Sequence, residues 1–340
     1  MRLELNPYKM LKKIPRRKNR FHAAVIKSPG KIRVKKIRLP EPKSGEIRIK
    51  LEGCGLCASS IPVWEGREWF EYPQPPGKPG HEGWGIVDAI GPDVKGFSLR
   101  QRVTGLTYNA FATHDIAEQE NLVVLPDFFD NKPFPGESFG CVMNIFKRSD
   151  IQKNQTVAVV GCGFLGLCLI QLLKSKGCWV IAISRRKSAL EFAEKAGADF
   201  IVEMDDHFQI IEKVRKITEE NFCDRVIECT GKEWPLNLSI ELTKIRGKLI
   251  VAGYHQDGMR SVNMQLLNWR GIDMINAHER DPAHYIEGIK NAVDAIQNGD
   301  FFPFEFLTHS FSFDELDTAL NTLLERPEGF VKGYITYGND

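Results

Sequence analysis

Three short stretches of this 340-residue chain carry residue types whose spacing points to chemistry. The first is Gly161-Cys162-Gly163-Phe164-Leu165-Gly166, a G-x-G-x-x-G run. It follows an apolar β-branched stretch, residues 157–160, and leads into apolar residues at helical spacing (Leu165, Leu169, Leu172, Leu173). In such a strand–turn–helix, the first glycine permits the tight turn and the second lets a pyrophosphate approach the backbone. The third lets helix and strand pack closely. The helix N-terminus then offers unpaired N–H groups and a partial positive charge to phosphates. Gly161, Gly163, Phe164, Leu165 and Gly166 are therefore the predicted dinucleotide turn.

The second stretch, Ser184-Arg185-Arg186-Lys187, closes the next apolar run, 179–183. An NAD-preferring site places a carboxylate there for the ribose 2′-OH. Ser184 removes its repulsion, and the guanidinium groups of Arg185 and Arg186 can clamp a 2′-phosphate bidentately. The prediction is NADP(H) in preference to NAD(H). The third stretch, Cys54-Gly55-Leu56-Cys57, reads alone as half a zinc knot or a redox pair, and no second C-x-x-C completes a four-thiolate site.

Two kinds of element must position these residues. From residue 144 strands alternate with helices: further strands are predicted at 199–202, 225–229, 248–252 and 272–275, with helices at 187–196, 207–219 and 235–243. That alternation predicts a parallel, doubly wound α/β sheet with ligands at the strands' C-terminal ends. Thr230, Gly253-Tyr254-His255 and Asn276-Ala277-His278 fall at such ends. Residues 21–51 instead read as short strands broken by Pro and Gly. At 42% hydrophobic content the chain can bury a large core and is expected to form two domains. With 46 Lys and Arg against 44 Asp and Glu, its bulk charge suggests neither a nucleic-acid nor a membrane partner. No apolar run approaches the ~18 residues of a spanning helix, and the eight cysteines suit a reduced, cytoplasmic enzyme. Residues 1–20 hold eight Lys or Arg and one acid, and read as a basic, solvated extension.

Cys57-Ala58-Ser59, then Gly80-His81-Glu82 with Gly85 and Gly91, then the nucleotide turn, come in an order that carries a resemblance. Over about residues 21–336 the chain resembles the zinc-dependent medium-chain dehydrogenase/reductase superfamily, in its alcohol, sorbitol and threonine dehydrogenase branch. The resemblance implies a GroES-like β-rich catalytic domain (21–143 and 282–340) and an NAD(P)-binding Rossmann domain (144–281). It implies that Cys57 and His81 ligate a catalytic zinc and that Glu82 is a ligand or stands beside them. Glu137, in Gly136-Glu137-Ser138-Phe139-Gly140-Cys141, matches the third ligand, direct or through water. Such a set leaves one zinc position open for an alcohol or carbonyl oxygen. Ser59 matches the hydroxyl that passes the alcohol proton toward solvent, since a hydroxyl both donates and accepts. Thr230, Gly253, Tyr254 and Ala277 are implied cofactor contacts, and Lys332 a basic residue near its phosphates.

Three departures stand beside the resemblance. Ser60 and Pro62 occupy the places of an Asp and a proton-relaying His, and Arg100-Gln101 replaces a Gly-Asp. A fourth concerns metal count: no cysteine lies between Val103 and Glu137, where many relatives carry a four-cysteine structural-zinc lobe. One catalytic zinc is therefore expected and no structural one. Trp64, Trp69, Phe70 and Tyr72 in an aromatic loop, with Tyr108, are expected to wall the substrate pocket. The activity so implied is hydride transfer between NADP(H) and a secondary alcohol, polyol or sugar-like substrate, in a homodimer or homotetramer. A zinc-free quinone or enoyl reductase is the alternative, and Cys57, His81 and Glu137 argue against it. A non-catalytic binding protein is a third reading, opposed by the same residues beside an intact cofactor turn.

Overall fold

A computed structural model describes residues 20–338 of the chain. The basic extension expected at 1–20 lies outside them, apart from Arg20.

Six parallel strands form one sheet in the order Phe200–Glu203, Trp179–Ser184, Thr156–Val160, Cys223–Glu228, Thr243–Val251, Asp273–Asn276. The chain enters at the centre, winds out to one edge, then returns to build the other half. This is the doubly wound order that the alternation predicts. Val157, Val159, Val180, Ile181, Val226 and Ile227 are all fully buried, as befits strands covered by helices on both faces. The winding reverses between Thr156–Val160 and Cys223–Glu228, so the turns after these two strands flank a crevice at their C-terminal ends.

Beside a two-stranded antiparallel sheet (Arg20–Ser28 with Lys31–Arg38), the rest of the described chain builds a seven-stranded, mostly antiparallel sheet. Its order is Leu307–Ser312, Lys332–Thr336, Glu46–Gly55, Glu82–Ile90, Arg102–Gly105, Leu122–Val124, with His114–Glu118 also paired to Glu46–Gly55. The last strand, Lys332–Thr336, pairs antiparallel with Glu46–Gly55 and so returns the C-terminus to the catalytic half. Between Val103 and Glu137 the chain forms short strands and 3-10 turns only.

The two halves share an apolar joint. Phe129, Phe134 and Phe139 pack in one buried cluster with Leu169, Leu172, Phe301 and Phe306. Phe139 lies on helix Gly136–Arg148, so this packing fixes the start of that helix, and Glu137 with it, relative to the nucleotide turn. Edge-to-face geometry among Phe129, Phe134 and Phe139 (centroids 4.8 and 5.1 Å apart) favours one arrangement over a slipped one.

Candidate metal and cofactor sites

Cys57 N-caps the 3-10 turn Ala58–Ser60, two residues past strand Glu46–Gly55. His81 immediately precedes the neighbouring strand Glu82–Ile90, and Gly55 is in register with Glu82. Strand pairing therefore brings thiol, imidazole and carboxylate to one end of the sheet. The ligand atoms of Cys57, His81 and Glu82 all lie within 4.8 Å of one another. His81 Nδ1 donates to the Pro79 carbonyl at 2.7 Å, which leaves the Nε2 lone pair for a metal. Burial opposes protonation of His81, but Cys57, then Glu137 and Glu82, outweigh it and carry its pKa well above the ordinary value. The negative field that favours a proton there equally suits a divalent cation, so the donor set fits zinc. Ser59 Oγ stands 3.2 Å from Cys57 Sγ and 3.5 Å from His81 Nε2.

The two carboxylates differ. Glu82 is 1% exposed, and Lys332 Nζ contacts its two oxygens at 2.7 and 2.9 Å. Lys332 Nζ also donates to the Leu56 carbonyl and lies 4.7 Å over the Phe164 ring. Burial alone would lower the Lys332 pKa, but Glu82 outweighs it and holds it above the ordinary value. Lys332, expected near the cofactor phosphates, has its ammonium buried and paired with Glu82. Glu137 lies in the first turn of its helix and lines an open cavity. Burial raises its pKa while His81 opposes the rise, and Cys141 Sγ donates to it at 3.3 Å. Lys332→Met is expected to strand Glu82 as an unpaired buried charge and cost about 3–5 kcal/mol. Thermal denaturation checks this, and an unchanged Tm would show that the pair stabilises nothing.

The departures at 60 and 62 have a structural account. Ser60 Oγ is buried with no hydrogen-bond partner among the described residues, and Pro62 is buried in helix Ile61–Glu65. The carbonyl of Pro79 orients His81 directly, so no carboxylate at position 60 is required for that purpose.

The nucleotide turn is shaped by its glycines. Gly161 has φ +102°, and a Cβ there would meet Thr230 Cγ2 at 2.6 Å. A Cβ at Gly166 would stand 2.2 Å from the Gly161 carbonyl, whereas one at Gly163 would meet nothing within 4 Å. The first two positions are closed by the protein's own packing, and the third faces open space where a pyrophosphate fits. Helix Phe164–Ser175 has no side-chain cap, so its first N–H groups remain for phosphates. Ser184 is buried at the end of its strand, Arg185 is exposed, and Arg186 is half-buried, donating to the Phe330 carbonyl at 2.9 Å. Sequence reasoning missed Arg326, the left-handed C-cap of helix Leu316–Glu325. Arg326 is exposed, and desolvation and then the Arg186 guanidinium lower its pKa. Only the tertiary fold puts it near Arg186.

The other predicted cofactor residues gather around buried Glu228. Its carboxylate accepts from the N–H groups of Thr230 and Gly231, from the Thr230 hydroxyl, and from His255 Nε2 at 3.0 Å. Arg260 Nε donates to His255 Nδ1, which fixes that tautomer. His278 Nε2 lies 3.2 Å from the Gly253 carbonyl, and its ring meets Tyr254 edge-on. Both histidines thus brace loops. Tyr254 keeps about half its surface exposed, and Ala277 is buried, its N–H donating to the Val251 carbonyl.

A cavity of about 440 Å³ adjoins the metal cluster, and Ser59, His81 and Glu137 share it with Lys78, Tyr108, Arg280 and Tyr285. The aromatic loop is mostly not its wall. Trp64 is 3% exposed, packs in the catalytic core and donates from Nε1 to Asn321 Oδ1 at 2.9 Å, which corrects its expected place in the pocket. A large ring with its one polar edge satisfied internally belongs in a core. Trp69 is exposed and does not line this cavity. Tyr108 does.

Two family profiles match the chain: "Alcohol dehydrogenase GroES-like domain" over residues 43–142 and "Zinc-binding dehydrogenase" over 165–297. The chain belongs to the zinc-type medium-chain dehydrogenase superfamily. It is accordingly an oxidoreductase acting on CH–OH groups. Sorbitol dehydrogenase of Halalkalibacterium halodurans is 26% identical, the match covering 84% of this chain and 90% of that protein. D-arabitol-phosphate dehydrogenase of Enterococcus avium is 25% identical over 86% and 90%. The fold is that of 2R,3R-butanediol dehydrogenase from Bacillus subtilis, with TM-score 0.79 and 21% identity over 94% of this chain and 100% of that one. Other solved proteins of this fold hold NADH or NADPH.

Proposed function

We propose that this dehydrogenase is an NADP(H)-preferring, zinc-dependent enzyme that oxidises a secondary alcohol, in the polyol or sugar-like class, and reduces the matching ketone. One observation carries the reading. Lys332 touches both Glu82 of the donor cluster and the ring of Phe164 in the nucleotide turn, so a single side chain separates metal site from cofactor site. Cys57, His81 and Glu137 would hold one zinc, with Glu82 beside them. When bound, that zinc acts as a Lewis acid toward the substrate oxygen. The chain's own residues do the rest. Ser59 faces the cavity within reach of the cluster, accepts the carbinol proton and hands it toward the open, solvent side. The Glu82–Lys332 pair fixes the strand ends that carry the donors. The glycine turn and the Glu228-braced loops hold the cofactor so that hydride transfer needs no large reorientation. The polyol class follows from relatives named for sorbitol and arabitol phosphate.

Elemental analysis of protein purified without chelator is expected to give close to one zinc per chain, together with NADP⁺-linked polyol oxidation. No zinc, with added metal refused, would turn the reading to a zinc-free reductase of quinones or activated alkenes.

Among the described residues the edge strand Asp273–Asn276 pairs on one side only. Exposed apolar residues follow the same stretch of chain: Met259 (97%), Met264, Trp269 (86%) and Met274. A second copy pairing there would cover both. Light scattering is expected to give twice the 38.6 kDa chain mass or a higher even multiple, and a monomer would refute it. The eight cysteines are all free, which supports a reducing, cytoplasmic location. Among the described residues no helix is long and apolar enough to cross a membrane.

A further inference from the structure

The cavity beside the metal cluster carries two cations that the hydride-transfer chemistry leaves without a task. Lys78 and Arg280 both line it, and both are exposed. Neither forms an ion pair with a carboxylate among the described residues. The two carboxylates flanking Arg280 in sequence are engaged elsewhere: Glu279 by Arg148 at 3.1 Å and His284 at 3.4 Å, and Asp281 by the Ala283 N–H of the helix it caps. Glu137, the one acid lining the cavity, faces His81 and Cys141. The remaining walls are mostly apolar or aromatic (Pro79, Leu106, Tyr108, Pro282 and Tyr285), and the Thr107 hydroxyl is engaged by the Gly83 N–H. The Tyr285 hydroxyl is spent on the Glu279 carbonyl, so it offers no competing anion.

Two cations without a carboxylate partner among the described residues, set in a concave and partly apolar wall, can receive anionic oxygens. A neutral polyol could only accept hydrogen bonds from them and would gain no ionic complement. We propose that the substrate is a polyol, or its ketose, bearing a terminal anionic group, a phosphate ester or a carboxylate, which Lys78 and Arg280 hold while a carbinol elsewhere on the molecule reaches Ser59. This rests on the dehydrogenase reading above. Two positive groups complement a phosphate dianion more fully than a carboxylate monoanion. A guanidinium also matches a phosphate's paired oxygens while an ammonium supplies a point charge. A cavity of about 440 Å³ is in the size range of small-molecule sites.

The test uses the zinc-loaded enzyme with NADP⁺ and three matched sets: erythritol, arabitol and sorbitol; their terminal phosphates; and the aldonates of the same chain lengths. Charged substrates are expected to exceed neutral ones in kcat/KM by about 100-fold, with a ratio that falls as salt rises. A preference for phosphates over aldonates identifies a phosphate ester, and the reverse identifies a carboxylate. In K78A/R280A the charged-to-neutral ratio is expected to fall about 100-fold, chiefly through KM. Both side chains are exposed, so the variant is expected to fold, which its retained NADPH binding verifies. Oxidation of neutral polyols as fast as charged ones, or a ratio unmoved by the double substitution, overturns this inference and leaves the dehydrogenase reading intact. A chain that binds no zinc and oxidises no member of any set fails the dehydrogenase reading itself, and this inference with it.

Discussion

Cys57→Ala is expected to remove bound zinc and lower turnover by a factor on the order of 1,000 or more. NADPH affinity should be almost unchanged. Cys57 is the donor least replaceable by geometry. It sits at the N-cap of a 3-10 turn, and its sulfur accepts from Ser59 while raising the His81 pKa. Losing it removes a ligand and slackens two neighbours together. The backbone around it is held by strand pairing on both sides of Glu46–Gly55, so the fold should survive. The nucleotide turn belongs to the other sheet and shares no hydrogen bond with Cys57, so cofactor binding reports separately. The measurements are zinc per chain, steady-state turnover and fluorescence titration with NADPH. A zinc-free variant with full activity would end the metal-assisted reading. Loss of NADPH binding together with zinc would show a folding defect instead.

Arg185→Ala with Arg186→Ala should weaken NADPH by about 100-fold while moving NADH by no more than about twofold. Ser184 ends its strand with a hydroxyl in place of a carboxylate, so its own side chain does not repel a 2′-phosphate. Arg185 is exposed and free to move, whereas Arg186 is anchored through one nitrogen to the Phe330 carbonyl. Burial, and then the Arg185 guanidinium, lower the Arg186 pKa. Arg326 adds to that positive charge. Equal weakening of the two cofactors would mean that the basic pair serves the pyrophosphate or the fold and does not discriminate. Comparing Kd for both cofactors at fixed ionic strength separates these outcomes, because screening alone shifts both together.

Which features are legible in the sequence follows from the range of the interactions involved. The strand, glycine turn and helix at 156–175 are specified by local periodicity and by backbone demands at Gly161 and Gly166, so the doubly wound sheet follows from residue order alone. Cys57, His81, Glu82 and Glu137 stand out as chemistry-bearing residues in a recognisable order. Their convergence is decided by strand register, which sets Gly55 opposite Glu82.

What residue order does not show is how each polar or aromatic side chain satisfies itself. Trp64 and Trp69 look alike within one aromatic loop, yet one finds Asn321, more than 200 residues away in sequence, and becomes core while the other stays in water. Lys332 reads as a solvated or phosphate-facing cation until the last strand returns beside Glu46–Gly55 and buries it against Glu82. Lys78 and Arg280 carry no motif at all. Only tertiary structure sets both on one cavity and turns Glu279 toward Arg148 and His284. Periodicity and turn chemistry act over a few residues and leave their mark in the sequence. The pairing of a buried or concave charge depends on which distant groups the fold delivers, and only the assembled molecule decides that.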